Sequence, residues 1–454
     1  MKKQMLFKAF AILCLVTLLA ACAPAATPAP AATEAPASGQ ASAATEAPVA
    51  EPVKISLLGS PNQNDAVMIQ ALTDAYTAQH PNVTFNIEVA AGGGAEADNL
   101  VKTRLATGEM NDIFYYNSGA LLQALHPSDT LVDISKEPFI ANIAESFIPA
   151  VSQNKGVFGV PVGFAGGGGI LYNKKVYEQL GLSVPKTWAE FEANNEKIKA
   201  AGIAPVLQTF GDTWTAQLFV LGDMYNVAQA VPTFAEDYTN NKAKYATTPA
   251  ALTGFQYLQE GFEKGWYQQD FATTKFDQGL EQLANGKVAH YAMGTFAMPA
   301  IAANYPDKVN DIGYFGLPGT DAAKSGSTIW MPLAFYAPKT TKNLDVVKDF
   351  FAFVASAAGA DAITAKVLPS GPYLIKGAKL PDTVPGFVKD LSGYIESGNG
   401  YPALEFLSPI KGPNLEQICV AVGSGQMTAE EGAKAYDEDV KKQAQQLGLP
   451  GWDK

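Results

Sequence analysis

Aromatic rings and hydrogen-bonding side chains stand together where apolar, strand-like runs give way to loops. Tyr116 and Asn117 close the run Asp112–Tyr116, and Asn62, Gln63 and Asp65 follow the run Val53–Ser60. Asp212 and Trp214 lie in the polar, glycine-flanked stretch GDTWTAQ. Trp330 sits in an apolar run, Tyr373 follows the rigid turn Pro369-Ser370-Gly371-Pro372, and Glu405 lies between apolar neighbours. Rings supply flat faces, and carboxylates or amides supply edges that bond hydroxyls, so this set suits holding a small solute. Plainer roles compete at each position. Tyr116 and Trp330 also fit a core, Asn117 a turn, and Asp65 and Asp212 helix caps. Trp214 is the odd choice for a polar stretch unless something stacks on it.

Bond-breaking chemistry finds little support. The histidines are His80, His126 and His290, none at metal-ligand spacing and none beside a serine or cysteine in a triad pattern. Nucleophile-elbow, phosphate-loop and dinucleotide fingerprints are missing from the sequence. Paired carboxylates can always be found among 44 acids, so their presence decides nothing. No catalytic residue, metal or cofactor is therefore expected. A formal net charge of −12 argues against nucleic acid as a partner. Three cysteines, Cys14, Cys22 and Cys419, exclude a disulfide framework.

The elements that position these groups can be read in order. Lys2, Lys3 and Lys8 precede a short apolar stretch ending in Leu19-Ala20-Ala21-Cys22, a signal peptide (1–21) with a lipobox-like end that makes Cys22 the lipidated first residue. Residues 22–52, rich in Ala, Pro and Thr, read as a tether. Beyond it, strands alternate with helices: Val53–Ser60, a helix from Asp65, Val83–Val89, a helix Ala95–Thr107 closed by Gly108, then Asp112–Tyr116. Thr187 and Glu190 have capping-box spacing. Further strands are expected at Val206–Thr209, Asp311–Leu317 and Thr328–Tyr336, and a last helix near Thr428–Leu447. This pattern is α/β with mainly parallel sheets, and 454 residues suit two packed lobes. Gly166–Gly169, between two strand-like runs, read as a crossing between the halves.

An ordered set of fragments carries a family likeness. It runs from Gly59-Ser60 through His80-Pro81-Asn82-Val83, Asp112-Ile113-Phe114, Gly159-Val160-Pro161 and Leu171-Tyr172-Asn173-Lys174. It continues through Pro185-Lys186-Thr187-Trp188, Gly202-Ile203-Ala204-Pro205, Gly294-Thr295-Phe296, Leu317-Pro318-Gly319 and Pro369-Ser370. In these the chain resembles the maltose-binding-protein-like, sugar-binding lipoproteins of ABC importers. Asn111 stands where the family often has Pro, and Phe296 where it usually has Trp.

The resemblance implies a two-lobed, type II periplasmic-binding-protein-like fold. Lobe 1 would be 53–164 and 319–361 and lobe 2 would be 167–316 and 368–454, with crossings near Ala165-Gly166, Leu317-Pro318 and Ala365–Val367. It adds Thr295 and Phe296, in the family's ligand-facing turn, to the candidates. A sugar, an oligosaccharide for preference, is the implied ligand, and the transmembrane subunits of an ABC permease are the implied partner. A monomer held by its lipid on the extracytoplasmic face of the cell membrane is expected. Competing readings are a receptor for a polyol or glycerol-phosphate, a cell-surface glycoside hydrolase and a purely structural surface protein.

Overall fold

The computed structural model describes residues 51–453 apart from Gly93. The expected signal segment, Cys22 and nearly all of the tether lie outside the described residues. In chain order the strands are β1 (Val53–Gly59), β2 (Val83–Val89), β3 (Ile113–Tyr116), β4 (Ser152–Gln153), β5 (Gly156–Val157), β6 (Gly159–Pro161) and β7 (Gly166–Asn173). After them come β8 (Ala204–Leu207), β9 (Val288–Gly294), β10 (Ile312–Gly316), β11 (Ser327–Trp330), β12 (Ala334–Tyr336) and β13 (Gly400–Pro402). Two sheets result. The first has the order β2-β1-β3-β12-β6, the second β13-β11-β7-β9-β8 with β10 also paired to β7.

Each large sheet packs into a core of its own. Leu57, Phe114, Phe335 and Phe350 belong to the first. Phe191, Phe255, Phe315 and Trp452 belong to the second, which also holds the buried, free Cys419. Both sheets are mixed rather than mainly parallel. β1 lies parallel to β2 and β3, but β12 enters antiparallel to β3 and β6, and β7 is antiparallel to β9, β10 and β11. β12, which returns from the second sheet to the first, enters it in the opposite sense to β3 and β6.

Local sequence signals set the helix ends. Asn62 caps α1 (Gln63–Gln79), starting it ahead of the expected Asp65. Gly108, at φ 73°, closes α2 (Ala95–Thr107), and Thr187 and Glu190 form the expected capping box.

Sheet membership moves the crossings. Thr328–Tyr336 reads as one strand in the sequence, yet Ser327–Trp330 joins the second sheet and Ala334–Tyr336 the first. Pro332, with no N–H to donate, breaks the ladder between them. The second crossing is therefore Met331–Leu333, and the expected Leu317-Pro318 stays with the second core. The crossings run side by side: the Val162 N–H donates to the Leu333 carbonyl at 2.9 Å, and the Ala165 N–H to the Pro372 carbonyl at 2.8 Å. Downstream, Val367, Leu374 and Ile375 pack in the first core while Leu368 and Leu380 pack on the second, so the last crossing extends well past Ala365–Val367.

Gly166–Gly169 lie inside β7, the central strand of the second sheet, and not in a hinge. A Cβ at Gly168 would overlap the six-membered ring of Trp330, and one at Gly167 would stand 2.5 Å from the Tyr314 hydroxyl. The glycines make slots for aromatic rings from neighbouring strands. Gly168→Ala should accordingly destabilise the protein by about 1–3 kcal/mol through overpacking, read as a lower midpoint in urea at unchanged slope.

Asp223 is 1% exposed, with one carboxylate oxygen unpartnered and the other accepting from Asn226 Nδ2 at 2.7 Å. Burial pushes its pKa up to about 8. The folded state thus keeps a proton that the unfolded chain loses near pH 4, so stability falls as pH rises between those values. Asp223→Asn mimics the protonated form. Its stability advantage over the unaltered protein should grow by up to about 1.4 kcal/mol per pH unit between pH 5 and 8, measured by urea unfolding at each pH.

Candidate functional site

The two sheets present their strand ends to each other across a narrow interface. From the first comes Tyr116, the last residue of β3, 3% exposed, with its hydroxyl beside the Asp98 carboxylate. Asp98, in the first turn of α2, is a neighbouring charge and helps hold the Tyr116 pKa well above its ordinary value, behind burial as the main cause. Gly94 and Gly119 complete this side, at φ 55° and 73°.

From the second sheet comes a chain of bonds. The Trp330 indole N–H donates to Glu405 Oε1 at 2.7 Å, and the Lys411 ammonium donates to Glu405 Oε2 at 3.0 Å. The Lys411 and Glu405 side chains are only 13% and 12% exposed. Burial alone would lower the Lys411 pKa; the adjoining Glu405 carboxylate, with Glu416 and Asp98, outweighs it and leaves it raised. Glu416 accepts from the Thr213 hydroxyl at 2.8 Å and is shifted up, mainly by burial. Beside Thr213, the half-buried Trp214 packs on Phe276 at 5.2 Å and Phe296 at 6.3 Å between ring centres.

The two sides touch. A Cβ at Gly94 would lie 3.3 Å from a Glu416 carboxylate oxygen, and one at Gly119 would overlap the Glu405 carbonyl oxygen. Both have positive φ, which favours glycine, and at Gly119 the Glu405 backbone also leaves no room for a side chain. Asp98 feels Lys411 and Glu405 across this gap.

Of the candidates read from the sequence, this arrangement joins Tyr116, Trp214, Phe296, Trp330 and Glu405. Asn117 adjoins Tyr116, and its carbonyl accepts from the Tyr336 hydroxyl at 3.0 Å. Others are engaged in the scaffold. Asn62 is a helix cap, and Gln63 is exposed beside it. Asp65 accepts from Ser60 Oγ at 2.8 Å, and burial pushes its pKa up to about 6. Asp212 Oδ2 accepts from the Phe276 N–H at 2.7 Å, capping the helix Phe276–Ala284. Thr295 is buried and spends its hydroxyl on the Gly167 N–H at 3.0 Å. Tyr373 sits at the last crossing, its ring on Phe164 and its hydroxyl on the Ala360 carbonyl. Thr295 and Tyr373 thus have their hydroxyls bonded to the backbone.

Asp98, Thr213, Lys411 and Glu416 were not foreseen. Only Gly92-Gly93-Gly94 ahead of α2 hinted at a close approach there. Two surface cavities of about 280 and 310 Å³ lie away from these groups, beside Thr364–Pro369 and beside Asp270–Thr274. They lack buried aromatic or charged groups converging on them and do not compete as sites. Among the described residues no cluster of potential ligands could hold a metal ion.

The sequence pattern of the bacterial extracellular solute-binding proteins matches residues 59–361, two thirds of the chain. The chain belongs to that family. This solute-binding protein is 24% identical over 316 residues to the multiple sugar-binding protein of Streptococcus mutans serotype c, covering 67% of this chain and 71% of that one. It is 24% identical over 322 residues to the lactose-binding protein of Rhizobium radiobacter, covering 64% and 68%. Its fold is shared with solved structures of a chitin oligosaccharide binding protein (TM-score 0.74, 22% identity, 87% of this chain and 99% of that one) and of RafE in complex with raffinose (TM-score 0.69, 20% identity, 87% and 99%). These are two-lobed type II binding proteins, the fold class expected from the sequence. Members of the family are binding proteins that work outside the cytoplasm. No helix among the described residues is long and apolar enough to cross a membrane.

Breaking the Lys411–Glu405 pair should be costly because it strands a buried carboxylate. Lys411→Met should lower stability by about 3–5 kcal/mol, whereas Lys411→Met combined with Glu405→Gln should recover most of that loss, as a double-mutant cycle in urea would show.

Proposed function

We propose that this protein captures a sugar, an oligosaccharide for preference, between its two lobes and delivers it to the membrane permease of an ABC importer. The lobes are residues 53–164 with 334–379 and residues 166–330 with 380–453, joined by the crossings described above. The carrying observation is the Trp330–Glu405–Lys411 chain facing Asp98 and the buried Tyr116 hydroxyl, with Trp214 and Phe296 alongside. Sugars need flat faces for their C–H groups and polar edges for their hydroxyls, and this surface offers both. The names of the similar proteins, multiple sugar-binding and lactose-binding, support the same class. Ligand contacts to both sides would favour the closed arrangement over an open one and present it to the permease.

The protein is read as a non-enzymatic monomer. Both oxygens of Glu405 are already engaged, by Trp330 and Lys411, which leaves that residue unsuited to protonating a leaving group. We further propose that Cys22 carries the lipid and that residues 23–52 form the leash, placing the folded part on the outer face of the cell membrane.

Thermal-shift titration against mono- and oligosaccharides, followed by product analysis of each hit, tests this reading. A rise in Tm with ligand recovered intact is expected. Cleavage of the ligand would mean a hydrolase, and no response to any saccharide would sink the sugar assignment. Trp214→Ala should weaken binding of a hit by about tenfold or more without lowering Tm of the free protein by more than a few degrees; unchanged affinity removes Trp214 from the site.

A further inference from the structure

We propose that this cleft rejects anionic saccharides and accepts neutral or amine-bearing ones, because its carboxylates, Asp98, Glu405 and Glu416, outnumber its cations, Lys102 and Lys411, and leave surplus negative charge facing any bound solute. The inference rests on the sugar-receptor reading above and narrows the class of ligand. Five charged groups act at this place: Asp98 and Lys102 from α2, and Glu405, Lys411 and Glu416 from the second lobe. Lys411 is the buried cation, and its ammonium is bonded to Glu405. Lys102 lies a turn beyond Asp98 on the same helix and acts on it. Asp98 and Glu416 repel each other across the interface, and burial shifts both upward. Glu416 has the Thr213 hydroxyl as its donor.

A uronate or phosphate placed here would add a like charge at short range in a partly desolvated gap, where Coulomb repulsion is several times stronger than in water. The start of α2 would otherwise attract an anion through its free N–H groups, but Glu96 and Asp98 already occupy its first turn. A neutral hydroxyl suits the same surroundings. It can donate to the Asp98 or Glu416 carboxylate, with the buried Tyr116 hydroxyl beside Asp98 as a further polar edge. An ammonium on the sugar would go further and offset part of the surplus charge.

The test compares trisaccharides of matched length and different charge: cellotriose, maltotriose, raffinose and N-acetylchitotriose as neutral probes, chitosan triose as the cation and trigalacturonate as the anion. Calorimetric titration of the intact protein at pH 7 should give binding to at least one neutral or cationic probe, with trigalacturonate weaker by about tenfold or more. The double substitution Asp98→Asn with Glu416→Gln keeps size and hydrogen-bonding edges, and it should narrow that gap while leaving Tm unchanged or higher. Trigalacturonate binding as tightly as the best neutral probe would overturn the proposal while leaving the sugar receptor intact. An undiminished gap in a folded double variant would also overturn it, since the discrimination would then come from elsewhere. Silence from every probe would overturn the receptor reading and this proposal with it.

Discussion

The structure turns on a central strand that has given up its side chains. At Gly166–Gly169 the strand β7 has only backbone to offer, and Trp330 and Tyr314 from adjoining strands lie over it. Glycine in a strand costs roughly 0.5–1 kcal/mol each relative to alanine. Burying one large ring contributes roughly 25 cal/mol for every Å² of apolar area, over about 150–250 Å². The rings outweigh the glycines. What they gain besides energy is position, since the Trp330 ring fills the space that a Gly168 side chain would need.

From that fixed indole the polar part of the site follows by contact. The Trp330 N–H holds one oxygen of Glu405 and Lys411 holds the other, so the carboxylate's orientation is settled by two donors from different elements. The turn carrying Glu405 presents its backbone to Gly119 of the other lobe, and the helix carrying Glu416 meets Gly94. A packing decision inside one sheet is thus transmitted to the surface where the lobes meet. The strong members are the buried, charge-assisted bonds; the exposed pair Lys175–Glu178 adds little by comparison.

Much of the architecture was legible because local physics sets it. Thr187 with Glu190, and Gly108 after α2, announce helix ends through backbone groups that must be satisfied wherever the chain lies. The alternation of strands and helices gave the fold class, and ordered fragments gave the family. The run Thr328–Tyr336 misled because nothing in its apolar pattern says that its two halves pair with different sheets; only Pro332 marks the break. The glycine run misled for a related reason, since flexibility and vacated space have the same sequence signature. Among the candidate site residues, Trp214 stood out as a ring in a polar stretch, and Tyr116 and Trp330 as rings at the ends of apolar runs. Asp98, Lys411 and Glu416 did not stand out, because each is one common charge among many and their partnership spans more than 300 residues of sequence. Thr295 and Tyr373 drew attention for their positions, yet the structure spends their hydroxyls on the backbone.

A crystal structure of the protein with a saccharide hit from the thermal screen bears most directly on the claim that the gap between the sheets is the binding site. One sugar unit is expected with its face on Trp330 or Trp214 and a hydroxyl within hydrogen-bond distance of Tyr116, Asp98 or Glu416. A saccharide bound instead in the cavity beside Thr364–Pro369 or the one beside Asp270–Thr274, with the gap empty, would contradict it.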